Sequence, residues 1–200
     1  MFDQTTKPEG IETIRLWDPA LRLFHWALVV CVVAAWLLGR FGPSIMTLHF
    51  YFGYAVLALL AFRVIWGLFG PTAARFSHFL YGPGTTLRYM ARIGRREPSY
   101  WPGHNPVGAL SVFVLLAVLI AQALTGLFAD PDDFINVGPL ADSVSRDTAL
   151  AAAGWHYRLS LAVLALVVLH VSAVAFYRLW KREDLVRPMI TGRKAVRRDR

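Results

Sequence analysis

The apolar positions of this chain fall into four long blocks, roughly Pro19 to Gly39, Met46 to Leu68, Pro106 to Phe128 and Trp155 to Trp180. Each is close to the ~20 residues that carry an α-helix across ~30 Å of hydrocarbon at ~1.5 Å per residue. Their ends carry helix punctuation. Asp18-Pro19 and Asn105-Pro106 each place a capping side chain before a proline at the first helical position, and Gly39, Gly67 and Gly70-Pro71 stand at C-terminal ends. The pattern predicts an all-α fold: an integral membrane four-helix bundle, with helices at about 19–39, 46–68, 106–128 and 155–180 in a single membrane domain spanning 1–200. Between Pro83 and Ile93, Leu87, Met90 and Ile93 share a helical face with arginines between them, which suits a short helix on the membrane surface.

Composition points the same way: 56% of the residues are hydrophobic and 17% charged, where a soluble domain has about a quarter charged. Seven Trp, seven Tyr and thirteen Phe suit interfacial belts. The formal net charge of +8 is unevenly placed. The 71–105 connection holds Arg75, Arg88, Arg92, Arg95 and Arg96, and the tail after Tyr177 is basic through Arg178, Lys181, Arg182, Arg187, Arg193, Lys194, Arg197, Arg198 and Arg200. The 129–154 connection instead holds Asp130, Asp132, Asp133, Asp142 and Asp147 against one Arg146. The positive-inside rule then places both termini and the 71–105 loop in the cytoplasm, and the 40–45 turn and the 129–154 loop on the outer side of the membrane. Charge distributed this way reads as topology rather than nucleic-acid binding. The stretch from Met1 to Trp17 carries no short apolar region with a small-residue cleavage site, so the first helix is expected to be retained.

The single cysteine, Cys31, excludes an intrachain disulfide, a cysteine-held iron–sulfur cluster and a covalent CxxCH haem. Histidine carries the chemistry. An imidazole inside a membrane span is costly unless it faces a partner. His156 and His170 lie fourteen residues apart on one predicted helix, which is ~21 Å of rise and about 40° of rotation, hence nearly one face at two depths. His25 falls near the cytoplasmic end of the first helix, level with His170, and His49 opens the second helix outside, level with His156. Pairing His25 with His49 is excluded, because almost a whole helix separates them. Two imidazoles on facing helices are what a bis-histidine haem needs, whereas zinc wants four converging ligands that neither pair supplies. Two haem b groups are therefore expected, an outer one on His49 and His156 and an inner one on His25 and His170. Ala27, Gly53, Ala162, Ala165 and Ala173 offer room beside them. Arg40 and Arg158 outside, and Arg22 and Arg178 inside, are candidates for the propionates. His104 is read as a capping residue of the third helix ahead of a propionate or quinone contact, His78 as solvent-exposed, and Arg63 as snorkelling toward the cytoplasm, with contact to the inner haem as the alternative.

At these same residues the chain resembles the bacterial cytochrome b561 and nickel-iron hydrogenase cytochrome b family. The resemblance rests on Ile14 to Trp26 (IRLWDPALRLFHW), Leu48 to Pro71 (LHFYFGY and FRVIWGLFGP), Gly103 to Pro106 (GHNP), Trp155 to His170, and Glu183 to Lys194 with its MITGRK ending. It implies a four-helix, two-haem electron carrier with ligands on the first, second and fourth helices, matched here by His25, His49, His156 and His170. It also implies electron exchange between the quinone pool and a partner: a periplasmic hydrogenase, a cytochrome c or, in one branch, superoxide. Five aspartates on the outward loop favour a basic partner such as a periplasmic cytochrome c over a superoxide:quinone oxidoreductase, although Arg40, Arg146 and Arg158 offer a local basic patch. A hydrogenase cytochrome subunit is the second reading, set back by the compactness of the chain. A small transporter or scaffold is disfavoured by the lack of an inverted repeat or interrupted helices.

Overall fold

A computed structural model describes residues 10–44 and 46–197. The reading of the extreme N-terminus, Ile45 of the first turn, and the topological role of Arg198 and Arg200 lie outside the described residues.

Four helices are long and apolar enough to cross a membrane: α1 (Pro19–Phe41), α2 (Thr47–Phe69), α4 (Pro106–Phe128) and α5 (Arg146–Leu179). A short helix α3 (Pro83–Met90) precedes α4, and α6 (Val186–Thr191) follows α5. The predicted caps act as such. Asp18 Oδ1 accepts from Leu21 N at 3.0 Å, and Asn105 Oδ1 accepts from Gly108 N at 2.8 Å. The first two spans end two residues and one residue later than expected, at Phe41 and Phe69, with Gly42 and Gly70 as their C-caps.

The largest departure is α5, which starts at Arg146 rather than near Trp155, capped by Ser145. The run Ala149-Leu150-Ala151-Ala152-Ala153 has enough helix propensity to absorb Arg146, Asp147 and Gly154. At 34 residues, α5 extends for ~51 Å, well beyond the ~30 Å of hydrocarbon. His156 consequently sits about three turns inside the helix, not at its opening.

The spans pack as two hairpins, α1 on α2 and α4 on α5, joined through α2 on α4. Half-way along, Val56 and Leu60 of α2, Leu119 of α4 and Val163 of α5 form an apolar cluster, flanked by Leu28, Cys31 and Val32 of α1. A second cluster closes the end near the termini, where Trp17, Leu21, Phe24 and Ala74 pack with Phe62, Trp66 and Met189. The outer surfaces of the spans stay apolar and exposed, as at Leu37, Ile65, Leu110 and Val168, which is the surface that lipid covers.

One element has no counterpart in the sequence reading. Strands β1 (Ile11–Arg15) and β2 (Arg193–Arg197) pair antiparallel, with Thr13 opposite Ala195 and Arg15 opposite Arg193, joining the two ends of the described chain. Gly192, at φ 78°, turns the chain out of α6 into β2, and its carbonyl accepts from both Leu16 N and Trp17 N. Beside it, the carboxylate of Glu183 accepts from Ser99 N (2.8 Å) and Ser99 Oγ (2.7 Å), and lies 3.3 Å from Lys194 Nζ. Lys194 also donates to Gly103 O, so β2, the α5 exit and the loop before α4 are fastened at one point.

At the opposite end, Asn136 donates to Ser44 O and Asp133 Oδ2 and accepts from Met46 N, tying the α1–α2 turn to the α4–α5 loop. Asp133 accepts from the backbone of Asn136 and Ile135, which holds its carboxyl below the usual range. A helix does form between Pro83 and Ile93, α3, but it ends at Met90, short of Ile93, with Leu87 and Met90 exposed.

Candidate haem-binding core

His49 and His156 meet in the bundle, although the first lies near the start of α2 and the second is eleven residues into α5. Their ring centres are 5.9 Å apart and the rings are nearly perpendicular, at 87°. Each is held in the same way by the preceding helix of its own hairpin. His49 Nδ1 lies 2.8 Å from Ala35 O, and His156 Nδ1 lies 2.9 Å from Gln122 O. A carbonyl only accepts, so both Nδ1 atoms carry the proton and each Nε2 keeps its lone pair. The Gln122 side-chain amide donates to His156 Nε2 at 3.2 Å, while its own Oε1 is buried without a partner.

Gly53, one turn beyond His49, faces open space: a Cβ built there meets no other atom within 4 Å.

The second pair lies toward the termini. It comprises His25 of α1 and His170 of α5, and His25 Nδ1 is buried without a protein partner. His25 to Gly39 on α1 and His170 to His156 on α5 are both fourteen-residue steps, ~21 Å of rise each. Gly39 of α1 lies against the His49 ring. Both hairpins thus place a histidine at each of the same two depths, and the Val56–Leu60–Leu119–Val163 cluster lies between them.

The arginines are more dispersed. The Arg40 guanidinium lies over Phe41 at 5.8 Å and that of Arg158 over Trp155 at 5.3 Å. Arg22 donates to Ile190 O, and Arg178 approaches Asp184 at 3.5 Å. Ala165 and Ala173 are exposed, while Ala27, Gly53 and Ala162 are half-buried.

Two expectations need correcting. Arg63 does not snorkel: it is only 3% exposed, donates from Nη1 to Ala74 O at 3.1 Å, and stacks on Phe76 at 4.4 Å. The short loop after α2 folds back over the helix and supplies those partners, which removes the need to reach water. Nor does His104 cap α4, a task performed by Asn105. Its ring is instead wedged between Trp17 (4.8 Å) and Phe79 (4.7 Å), with Nδ1 sealed from solvent and unpartnered. His78 is exposed, as expected.

Burial, reinforced by the charges of Arg63 and Lys194, holds the His104 imidazole well below its ordinary 6.5, at about 3. The unfolded chain therefore binds a proton that the folded chain refuses between those two values. Stability from this site is full above pH 6.5 and is lost as the pH falls toward 3, at a rate no greater than about 1.4 kcal/mol per pH unit. His104→Gln should flatten the acid limb of a thermal-unfolding series between pH 7 and 5. An unchanged slope would assign the acid sensitivity elsewhere.

Residues 16–192 match the prokaryotic cytochrome b561 family. The chain belongs to that family. Among curated proteins, it is 20% identical to a probable Ni/Fe-hydrogenase B-type cytochrome subunit of Bradyrhizobium diazoefficiens, over 94% of this chain and 88% of the relative. It is 23% identical to the corresponding probable subunit of Azotobacter chroococcum, over 96% and 95%, and 22% identical to a probable Ni/Fe-hydrogenase 1 B-type cytochrome subunit of Escherichia coli O157:H7, over 93% and 92%. The aligned stretches, 222 to 235 positions, exceed the 200 residues of this chain, so these relatives carry residues that it lacks. No solved structure matches the chain significantly.

This is accordingly a multi-pass bacterial membrane cytochrome b, an electron-transfer protein whose family cofactor is haem b. The core residues suit that group. A metal ion shared by two imidazoles at about 2 Å from each nitrogen sets ring centres roughly 6 Å apart, the separation found for His49 and His156. Among the described residues no three His, Cys, Asp or Glu side chains converge, so paired axial ligation is the chemistry the donor set suits.

Proposed function

We propose that this cytochrome carries electrons across the bilayer between the quinone pool and a redox partner on its outer side, using two haem b groups. His49 with His156 holds the outer one and His25 with His170 the inner one. The reading is carried by the perpendicular contact of His49 and His156, each with Nδ1 tied to a carbonyl and Nε2 therefore unprotonated. Bound haem b supplies reversible one-electron chemistry at each depth. The protein's part is to fix the two depths along α5, orient the imidazoles and exclude water with the mid-bundle apolar cluster. Arg40 and Arg158 at the outer end, and Arg22 and Arg178 at the inner end, are the cations proposed to meet the propionates.

Charge supports an orientation with both termini and the 71–105 loop in the cytoplasm, and the Asn136-tied loop in the periplasm. The acidic outer loop suits a basic periplasmic protein such as a cytochrome c. A second reading, as the cytochrome subunit of a membrane-bound nickel-iron hydrogenase, is supported by the names of the relatives.

Purified protein should contain about two haems per chain and show a dithionite-reduced α band. It should also be reduced by a quinol and reoxidised by a basic cytochrome c. A preparation lacking haem absorbance would defeat the proposal. Hydrogen-dependent haem reduction in membranes containing a hydrogenase would promote the second reading, and its absence would remove it.

A further inference from the structure

The two outer histidines come from different hairpins and different heights on their helices, yet the same local device meets each. On α1, Ala35 presents its carbonyl to His49 Nδ1 and Gly39, four residues on, lies against the Cε1–Nδ1 side of the ring. On α4, Gln122 presents its carbonyl to His156 Nδ1 and Gly126, again four residues on, lies against the ring. A Cβ at Gly39 would stand 2.9 Å from His49 Cε1 and 3.0 Å from Nδ1. At Gly126 it would stand 2.8 Å from His156 Cε1 and 3.0 Å from Nδ1. These approaches are closer than real side chains make, and a ring pinned by its own hydrogen bond can yield only by tilting. In each hairpin the carbonyl sets the rotation of the imidazole and the glycine sets how near it lies to the neighbouring helix.

We infer that Gly39 and Gly126 are positioning residues, which with the Ala35 and Gln122 carbonyls form paired seats holding His49 and His156 perpendicular and aimed at one another. The inference rests on the proposal that these two histidines ligate the outer haem. It adds that the ring planes are set by the α1 and α4 backbones rather than by the ligand. Perpendicular axial imidazoles give low-spin ferric haem a strongly anisotropic resonance with one very large g value. Parallel planes give an ordinary rhombic spectrum. A seat of this kind also belongs to the outer-shell groups whose loss lowers affinity at a metal site about 10-fold or more.

The test is electron paramagnetic resonance of the oxidised, haem-loaded protein in detergent, with redox titration and the rate of haem transfer to an apoglobin. The wild-type outer component should show the large-g signal. Gly39→Ala and Gly126→Ala should each shift that signal and the outer midpoint potential, and speed outer-haem loss by roughly 10-fold, leaving the inner component as it was. Gly154→Ala, two residues from His156 but with nothing near its Cβ, should change none of these. A rhombic wild-type outer signal overturns the inference without any variant, so poor folding of an alanine variant does not shelter it. Unchanged signals in both alanine variants, or equal disturbance of inner and outer components, also overturn it. Retention of two low-spin haems in His49→Ala would instead sink the underlying ligand assignment.

Discussion

Alanine at His49 or at His156 is expected to remove one and the same haem, lowering the content from about two to about one per chain, while alanine at His25 or His170 removes the other. The outer rings are 5.9 Å apart and nearly perpendicular, so as ligands of one haem neither would keep its function without its opposite number. Depth makes the effect selective. His156 and His170 are fourteen residues, or ~21 Å, apart on one helix, and the packed Val56, Leu60, Leu119 and Val163 side chains lie between the two levels. Four reduced-minus-oxidised spectra should consequently collapse onto two patterns, His49 with His156 and His25 with His170. If the His25 and His49 variants lost the same spectral component, the depth pairing would be wrong. An intermediate outcome, full haem content with a high-spin spectrum, would mean that one imidazole suffices for retention and would separate binding from low-spin ligation.

The spans were legible because lipid imposes a requirement that sequence records directly: about twenty apolar residues bounded by caps, as Asp18-Pro19 and Asn105-Pro106 bound theirs. The histidine depths followed from counting residues along those spans. What could not be read was whatever depends on two segments meeting. The β1–β2 pairing joins residues some 180 positions apart through a five-residue strand at each end, and neither strand has a pattern that calls for the other. Arg63 looks like a snorkelling cation until the 71–79 loop folds back and gives it Ala74 and Phe76. In the same way, Gly39 read only as a helix end. Its contact with His49 exists because α1 and α2 pack at that height. The early start of α5 is different, because the alanine run was visible and the nearby charges simply drew the boundary too late.

The cap that joins the two ends of the described chain should prove equally sensitive to a single charge. Glu183 and Lys194 are among the few charged residues buried from solvent, at 7% each, and they face one another at 3.3 Å. Burial pushes the Lys194 pKa down and Glu183 draws it back up, which describes a charge tolerated only because its partner is present. Removing either one by Glu183→Ala or Lys194→Ala leaves the other sealed and unpaired, at a cost of about 3–5 kcal/mol. Glu183→Ala also strands Ser99 N and Oγ. Removing both charges together, with Glu183→Gln and Lys194→Met, leaves no buried ion and keeps an acceptor for Ser99, so the double variant should be more stable than either alanine variant. The comparison is best made by limited proteolysis of the 71–105 loop alongside thermal unfolding, because the cap joins that loop to β2. The effect should reach the inner site before the outer one. Lys194 donates to Gly103 O, beside His104, whose ring lies within electrostatic range of His25 and His170. Loosening the cap should therefore broaden or shift the inner haem signal while the outer signal keeps its wild-type form. Additive costs in the double variant, or an outer signal that fails first, would show that the pair holds nothing together.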